Sequence, residues 1–416
     1  MICTRCIYDD HIPYIDYDSD GVCNYCRQTE QLESEYPTGE KGRQILDRLV
    51  EQIKRDGHDK PYDVVVGISG GCDSSYMLYL AKNMGLRPLA AHFDNTWNSK
   101  IAVENIHNIL KTLNLDLYTH VVDNHEYCDI FKSFFKASVP DIDTPSDIGL
   151  ATTHYLAAAK YGIKYIWEGH SFRTEGISPH GWFYMDAKYI QTIQKQFGSY
   201  SLDTFPNLWI SKWLKWTAID GIKKIRPLYY MDYDKEQTKQ FLSTELGWKW
   251  YGGHHMENRT AYFTNNYYLP EKFNIDLRYS EYSALVRGSK MSREEALQKI
   301  KQPKPFDKSI LEEVKKRLNF TDAEFLEVMN RPRKTYRDYQ TYKKTFERMR
   351  PFFWLMYKLE LVPKSFYMKY TKTYDKFSCK RLKGTNEKTP SQNIYRVKGT
   401  FRLLPPSQKG IGRPGA

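Results

Sequence analysis

A chain of 416 residues exceeds one ordinary domain of about 150, so two or three structural units are expected, with enough length to bury a core without staples. Hydrophobic content of 41% with no apolar run of about 18 residues excludes a polytopic membrane protein. The formal net charge of +12 is unevenly placed: residues 331–416 hold 22 Lys and Arg against 5 Asp and Glu, so any pull toward nucleic acid or anionic surfaces belongs to the last fifth of the chain.

The opening Met1-Ile2-Cys3-Thr4-Arg5-Cys6 lacks the apolar stretch of a secretory signal, which predicts a cytoplasmic protein. Four of the seven cysteines fall in the first 26 residues as two Cys-x-x-Cys pairs, Cys3/Cys6 and Cys23/Cys26. In a reducing compartment this spacing points to metal rather than disulfides. Four thiolates leave no open ligand position, so a structural zinc knuckle over residues 1–40 is expected, with an iron–sulfur cluster ranked second. Next, Ile45, Leu46, Leu49, Val50 and Ile53 repeat at helical spacing. The β-branched run from Tyr62 to Ser69 reads as a strand buried on both faces of a parallel sheet. Strand and helix signals then alternate, with helices over 73–84, 101–113 and 144–161 and strands over 89–93, 117–122, 165–167 and 224–228. That is the pattern of an α/β fold with a doubly wound parallel sheet, placed at residues 41–232, in which residues 171–215 read as an insertion over the site. Residues 233–348 read as mainly helical, with Ser292 capping a helix start. Residues 349–416 read as a basic aromatic tail, its last 12 residues expected to be disordered.

At the end of the first strand, directly before a helix, stands Ser69-Gly70-Gly71-Cys72-Asp73-Ser74-Ser75. Paired glycines let backbone N–H groups turn toward an anion, the helix start adds partial positive charge, and the serine hydroxyls can donate to the same oxygens. No Gly-Lys-Ser/Thr follows, which excludes the Walker loop. Cys72 lacks the glycine frame of a nucleophile elbow and reads as structural, while Cys128 and Cys379 stand alone. The loop resembles the pyrophosphate loop (PP-loop) of the ATP pyrophosphatase superfamily, whose members cleave ATP between the α and β phosphates, adenylate a substrate oxygen and let a nucleophile displace AMP. The resemblance implies contacts to ATP and Mg²⁺ from Gly67, Ser69, Gly70, Gly71, Asp73, Ser74 and Ser75, and from the later strand ends at Asp94, Gly169 and His170.

Downstream, Tyr251-Gly252-Gly253-His254-His255-Met256-Glu257-Asn258-Arg259 sets glycines beside histidines, a carboxylate and an arginine, a set suited to anionic sugars or proton transfer. With the knuckle, the loop, Glu168 to Gly176, Tyr267 to Phe273 and Met291 to Leu297, the order of motifs resembles the N-acetyl sugar amidotransferase family. That family makes amidino sugars for lipopolysaccharide O-antigen, capsule or flagellin glycans. The resemblance covers residues 1–345, and His254 stands where many relatives carry Lys. It implies adenylation of the acetamido oxygen of a sugar, free or nucleotide-linked. Ammonia from a separate glutaminase–cyclase pair, similar to the histidine-biosynthesis enzymes, then displaces AMP. In that chemistry Asp73, His254, His255, Glu257 and Arg259 are the candidate catalytic residues, and Arg173, Arg226, Lys272 and Arg278 the candidate substrate ligands.

Transfer RNA thiolation by the same adenylation is the main rival, weakened because Cys128 has no central cysteine partner; no nucleic-acid partner is expected. A scaffold that binds ATP without cleaving it is a third reading, opposed by the intact loop. The tail around Met349 to Lys372 mixes aromatics with cations as membrane-surface segments do. Docking of Phe352, Trp354 and Leu355 onto the body is the competing expectation for it.

Overall fold

Five short parallel strands carry the fold: β1 (Val64–Gly67), β2 (Pro88–Asp94), β3 (Leu117–Val121), β4 (Tyr165–Trp167) and β5 (Lys223–Ile225), in the order β3-β2-β1-β4-β5. The computed structural model describes residues 1–253, 256–359, 361–362 and 364–372. Every strand pairing is parallel, so each connection must cross over the sheet, and the order runs outward from β1 in both directions. Such a reversal opens a crevice beyond the carboxyl ends of β1 and β4.

Successive side chains of a strand alternate between faces. Val64 and Val66 enter one core with Met77 and Leu78 of the helix Cys72–Asn83 and Ile106 and Ile109 of the helix Lys100–Leu113. Val65, Leu89, Ala91 and Ile166 enter another with Tyr155, Ala157 and Ala158 of the helix Thr144–Tyr161. Burial on both sides is why the first strand is continuously apolar.

The expected strand over 224–228 is shorter than its apolar signal. Pro227 cannot donate to the ladder, so β5 stops at Ile225 and a 3₁₀ turn, Pro227–Tyr230, follows. The helix Asn124–Ala137 has no counterpart among the expected elements. Its inner face carries Glu126 and Asp129 among the aromatics, and both carboxylates are buried. The chain at 199–205 satisfies them: Glu126 accepts from Thr204 N and Phe205 N, and Asp129 from Ser199 N and Tyr200 N.

The largest apolar cluster joins the amino-terminal cysteines and Tyr25 to Phe131, Phe135, Tyr268 and Phe325, and Met1–Thr373 pack as one unit. In the helix Arg350–Lys358 the residues that dock are Phe353 and Met356, three apart on one helical face, against the cluster that holds Trp213. This corrects the expected docking set, since Phe352, Trp354 and Leu355 stay 43%, 48% and 50% exposed. The predicted disorder of residues 405–416 and the isolated Cys379 fall outside the described residues. Among the described residues, no helix is long and apolar enough to cross a membrane.

Candidate functional site

Beyond β1 the chain enters the Ser69–Ser75 loop, which runs into the helix Cys72–Asn83. Gly70 sits at φ +80°, and a Cβ there would lie 2.4 Å from the Ala102 carbonyl oxygen, so only glycine fits. Its own carbonyl accepts from Trp248 Nε1 at 2.9 Å and from Asn105 Nδ2 at 3.1 Å. Asn105 also accepts from Lys249 N at 2.8 Å, which braces the loop from behind.

Several donors inside the loop make long bonds: Gly71 N to Ser69 Oγ at 3.3 Å, Cys72 N to Tyr251 OH at 3.4 Å, and 3.2 Å between the Ser69 and Ser74 hydroxyls. Phosphate oxygens, as charged acceptors, form shorter and stronger bonds with such donors. A helix start behind them completes an anion cradle. Ser75 is fully buried behind the loop, its hydroxyl turned into the core.

Asp73 stands on the first turn of that helix and accepts from Tyr233 OH at 2.5 Å and Lys235 Nζ at 2.9 Å. Burial opposes its charge, but Lys235 and the Tyr233 hydroxyl outweigh burial and hold the carboxyl below its usual range. Lys235 Nζ lies 3.5 Å from Glu175, and Glu175 lies 3.8 Å from His170 Nε2. The other ring nitrogen of His170 meets Tyr229 OH at 3.0 Å. At the end of β4, Lys224 at 2.6 Å and Arg226 at 3.0 Å pin Glu168. Burial disfavours the Glu168 charge, and the two cations override it to hold the carboxyl far below the usual range.

Lys235 escaped the sequence reading, although a signal was there. Asp234 caps the helix Lys235–Leu246 by accepting from Glu236 N and Gln237 N. A lysine in that first turn opposes the helix dipole, so it implies an anion close by.

Two glycines at strand ends are explained by packing. A Cβ on Gly67 would stand 2.3 Å from His154 Nε2, and one on Gly169 would stand 3.1 Å from Met77 Cγ and 3.3 Å from the Asp73 carbonyl. His154 is buried, neither ring nitrogen has a partner among the described residues, and burial lowers its pKa to about 4. Asp94 accepts from Thr96 N at 2.8 Å and so shapes the turn after β2.

That turn receives the downstream motif. Ser99 N donates to Glu257 O at 2.8 Å, Arg259 N to Trp97 O at 2.8 Å, and Asn258 Nδ2 to Asn95 Oδ1 at 3.0 Å. Glu257 is thereby carried to the loop: a Cβ on Gly71 would stand 3.0 Å from Glu257 Oε1 and 3.3 Å from Tyr251 OH. His254 and His255 lie outside the described residues.

Other candidates serve as ties between elements. Arg259 pairs with Glu313 at 2.6 Å. Lys272, expected to meet substrate, is buried instead and donates to the carbonyls of Val328 at 2.6 Å and Met329 at 3.0 Å; burial lowers its pKa to about 8. Arg278 pairs with Asp276 at 2.7 Å and donates to Gln302 O at 2.9 Å. Arg173 gives its guanidinium to Tyr229 O at 2.6 Å and Tyr36 O at 2.7 Å. Each of these cations already spends donors on protein groups, which the sequence alone does not reveal.

The four amino-terminal cysteines are buried, with sulfurs all within 4.8 Å of one another. Separations are 3.9 Å for Cys3–Cys26, 3.8 Å for Cys6–Cys23 and 3.7 Å for Cys23–Cys26. A tetrahedral ion with bonds of about 2.3 Å requires sulfur–sulfur edges of about 3.8 Å, so the thiolates are spaced for one four-coordinate ion.

Residues 257–351 match the family described as LPS biosynthesis protein WbpG-like, C-terminal domain. An uncharacterised protein of Methanocaldococcus jannaschii is 24% identical over 326 residues, which is 76% of this chain and 99% of that protein. A protein of Caenorhabditis elegans described as probable mitochondrial tRNA-specific 2-thiouridylase 1 is 27% identical over 123 residues, 26% of this chain and 32% of its own. Among solved structures, the NH3-dependent NAD synthetase from Campylobacter jejuni aligns over 70% of this chain and 98% of its own, with TM-score 0.30 and 12% identity. The NMN synthetase from Francisella tularensis aligns over 54% and 93%, with TM-score 0.25 and 15% identity.

Proposed function

We propose that the protein is an ATP-dependent amidotransferase that converts the acetamido group of an N-acetylated sugar to an acetamidino group for surface-glycan biosynthesis. One observation carries the reading. The Ser69–Ser75 anion cradle lies against Glu257, the residue at which the match to an LPS biosynthesis family begins.

An acetamido group is a poor electrophile, so its oxygen has to be made a leaving group. In the proposed reaction that oxygen attacks the α-phosphorus of ATP, the bond to the bridging β-phosphate oxygen breaks, and pyrophosphate leaves. Ammonia adds to the imidate carbon and loses a proton; the carbon–oxygen bond then breaks, and AMP departs with the former acetamido oxygen. Gly71 N, Cys72 N and the hydroxyls of Ser69 and Ser74 receive the pyrophosphate, with Lys235 and Arg226 offsetting developing charge. Asp73 and Glu257 are hard oxygen donors of the kind Mg²⁺ takes, and that ion neutralises polyphosphate charge when bound. Glu257, His254 and His255 are the candidates for accepting the ammonium proton.

The same proposal assigns zinc to the four cysteines, ammonia supply to a separate glutaminase–cyclase pair, and peripheral contact with an anionic membrane to the exposed Phe352, Trp354 and Leu355. Incubation with ATP, Mg²⁺, ammonium chloride and a panel of acetamido sugars and nucleotide sugars is expected to give sugar-dependent AMP and pyrophosphate. No AMP with any sugar, together with thiolation of tRNA from a sulfur donor, would sink the reading.

Thiolation is the second reading because of the 123-residue likeness to the thiouridylase. Cys72 is the cysteine nearest the loop's donors and the one that sulfur transfer there would use as a thiolate. Burial pushes the Cys72 thiol up to about 12, which weighs against that role.

A further inference from the structure

The cysteine site is not closed off by its own segment. Arg287, at the end of the helix Arg278–Arg287, donates from Nε to Cys26 Sγ at 3.3 Å and from Nη2 to Cys6 Sγ at 3.3 Å. Its guanidinium lies 4.9 Å from the centre of the Tyr8 ring and is buried, with 7% of the residue exposed. Arg293 adds bonds to the carbonyls of Cys3 at 2.9 Å and Cys6 at 3.1 Å. A divalent ion held by four thiolates carries a net charge of about −2, and burying that charge is costly unless a cation offsets it. Arg287 is placed to do so, and its planar fork reaches two sulfurs at once.

The same helix reaches toward the phosphate loop. Ser280 donates from Oγ to Glu175 O at 3.1 Å. Gly176, at φ +79°, comes so close that a Cβ on it would lie 2.7 Å from Ser280 O. From the knuckle side, Tyr8 OH donates to Ile177 O at 3.4 Å. Glu175 is the carboxylate that shares Lys235 with Asp73.

We infer that Arg287 is a positioning residue. It fastens the metal-loaded knuckle onto the helix Arg278–Arg287, and through Ser280 that helix fixes the backbone that presents Glu175 to Lys235. The inference rests on the cysteines holding an ion, and the test separates the two claims.

Full-length protein loaded with zinc alone is challenged with a chromogenic chelator, comparing wild type with Arg287→Met and Arg287→Lys. The expected result is zinc release at least tenfold faster for Arg287→Met, with the charge-retaining Arg287→Lys in between. A wild-type protein that takes up no zinc overturns the metal reading and the inference with it. Zinc bound by wild type and released at the same rate by Arg287→Met overturns the inference alone. Should Arg287→Met fail to fold, hydrogen exchange on the wild type decides. Removing zinc is expected to speed exchange in residues 173–178 and 278–287 while leaving 100–113 unchanged. A change confined to residues 1–30 contradicts the inference.

Discussion

Lys235 carries the charge balance beside the phosphate loop. Its ammonium offsets both Asp73 and Glu175, so its loss leaves two partly buried carboxylates facing incoming polyphosphate. Lys235→Met is expected to lower sugar-dependent pyrophosphate release by about 100-fold. Release within threefold of wild type, measured in a coupled phosphate assay, would remove Lys235 from the proposed machinery. Asp141 is a buried acid of a different kind, accepting from Tyr184 N at 2.6 Å and Tyr189 OH at 3.1 Å. Burial pushes its pKa up to about 7, against about 3.9 in an unfolded chain. Between those values the folded state holds a proton that the unfolded state has released. Stability contributed by this group therefore falls as pH rises from about 4 to 7, and the full cost persists above 7. Asp141→Asn should raise Tm at pH 8 and leave it nearly unchanged at pH 4. An equal shift at both pH values would contradict burial as the cause.

At the level of elements, the loop works because other segments hold it. Trp248 and Asn105 both donate to Gly70 O, fixing the peptide next to the Gly71 and Cys72 donors. Trp248→Phe removes one neutral hydrogen bond worth about 1 kcal/mol, which corresponds to about fivefold in apparent ATP affinity. An unchanged KM for ATP in that variant would show that the brace is dispensable. The motif itself and all five strands were legible in the sequence, β5 alone ending earlier than its apolar signal, since a glycine-rich turn after an apolar run is a local signal. The brace was not: Trp248 lies 178 residues from Gly70 in the chain. The contacts of Glu175 and Lys235 were hidden for the same reason, the first-turn position of Lys235 being the local trace of them. The helix Asn124–Ala137 was masked by Glu126 and Asp129, acids that read as exposed but accept from the chain at 199–205. Lys272 and Arg278 misled in the opposite sense, being polar residues beside a motif that tie helices together.

For the whole molecule, the net charge of +12 describes two regions, −5 over residues 1–330 and +17 over residues 331–416. The candidate site lies in the acidic part, and the proposed membrane contact draws on the basic part. Exposed Phe352, Trp354 and Leu355 stand on a helix that also carries Arg350 and Lys358, the composition of an interfacial segment. Full-length protein is expected to sediment with phosphatidylglycerol vesicles at low salt and not with phosphatidylcholine. Phe352→Ser combined with Leu355→Ser should abolish that binding; equal sedimentation of the double variant would assign it elsewhere. If ATP turns the acetamido oxygen into a leaving group, the fate of that oxygen reports it. With a sugar carrying ¹⁸O in its acetamido carbonyl, together with ATP and ammonium, mass spectrometry of the products is predicted to find the label in AMP and none in the amidino sugar. Label retained on the sugar, with AMP unlabelled, would rule out adenylation of that oxygen.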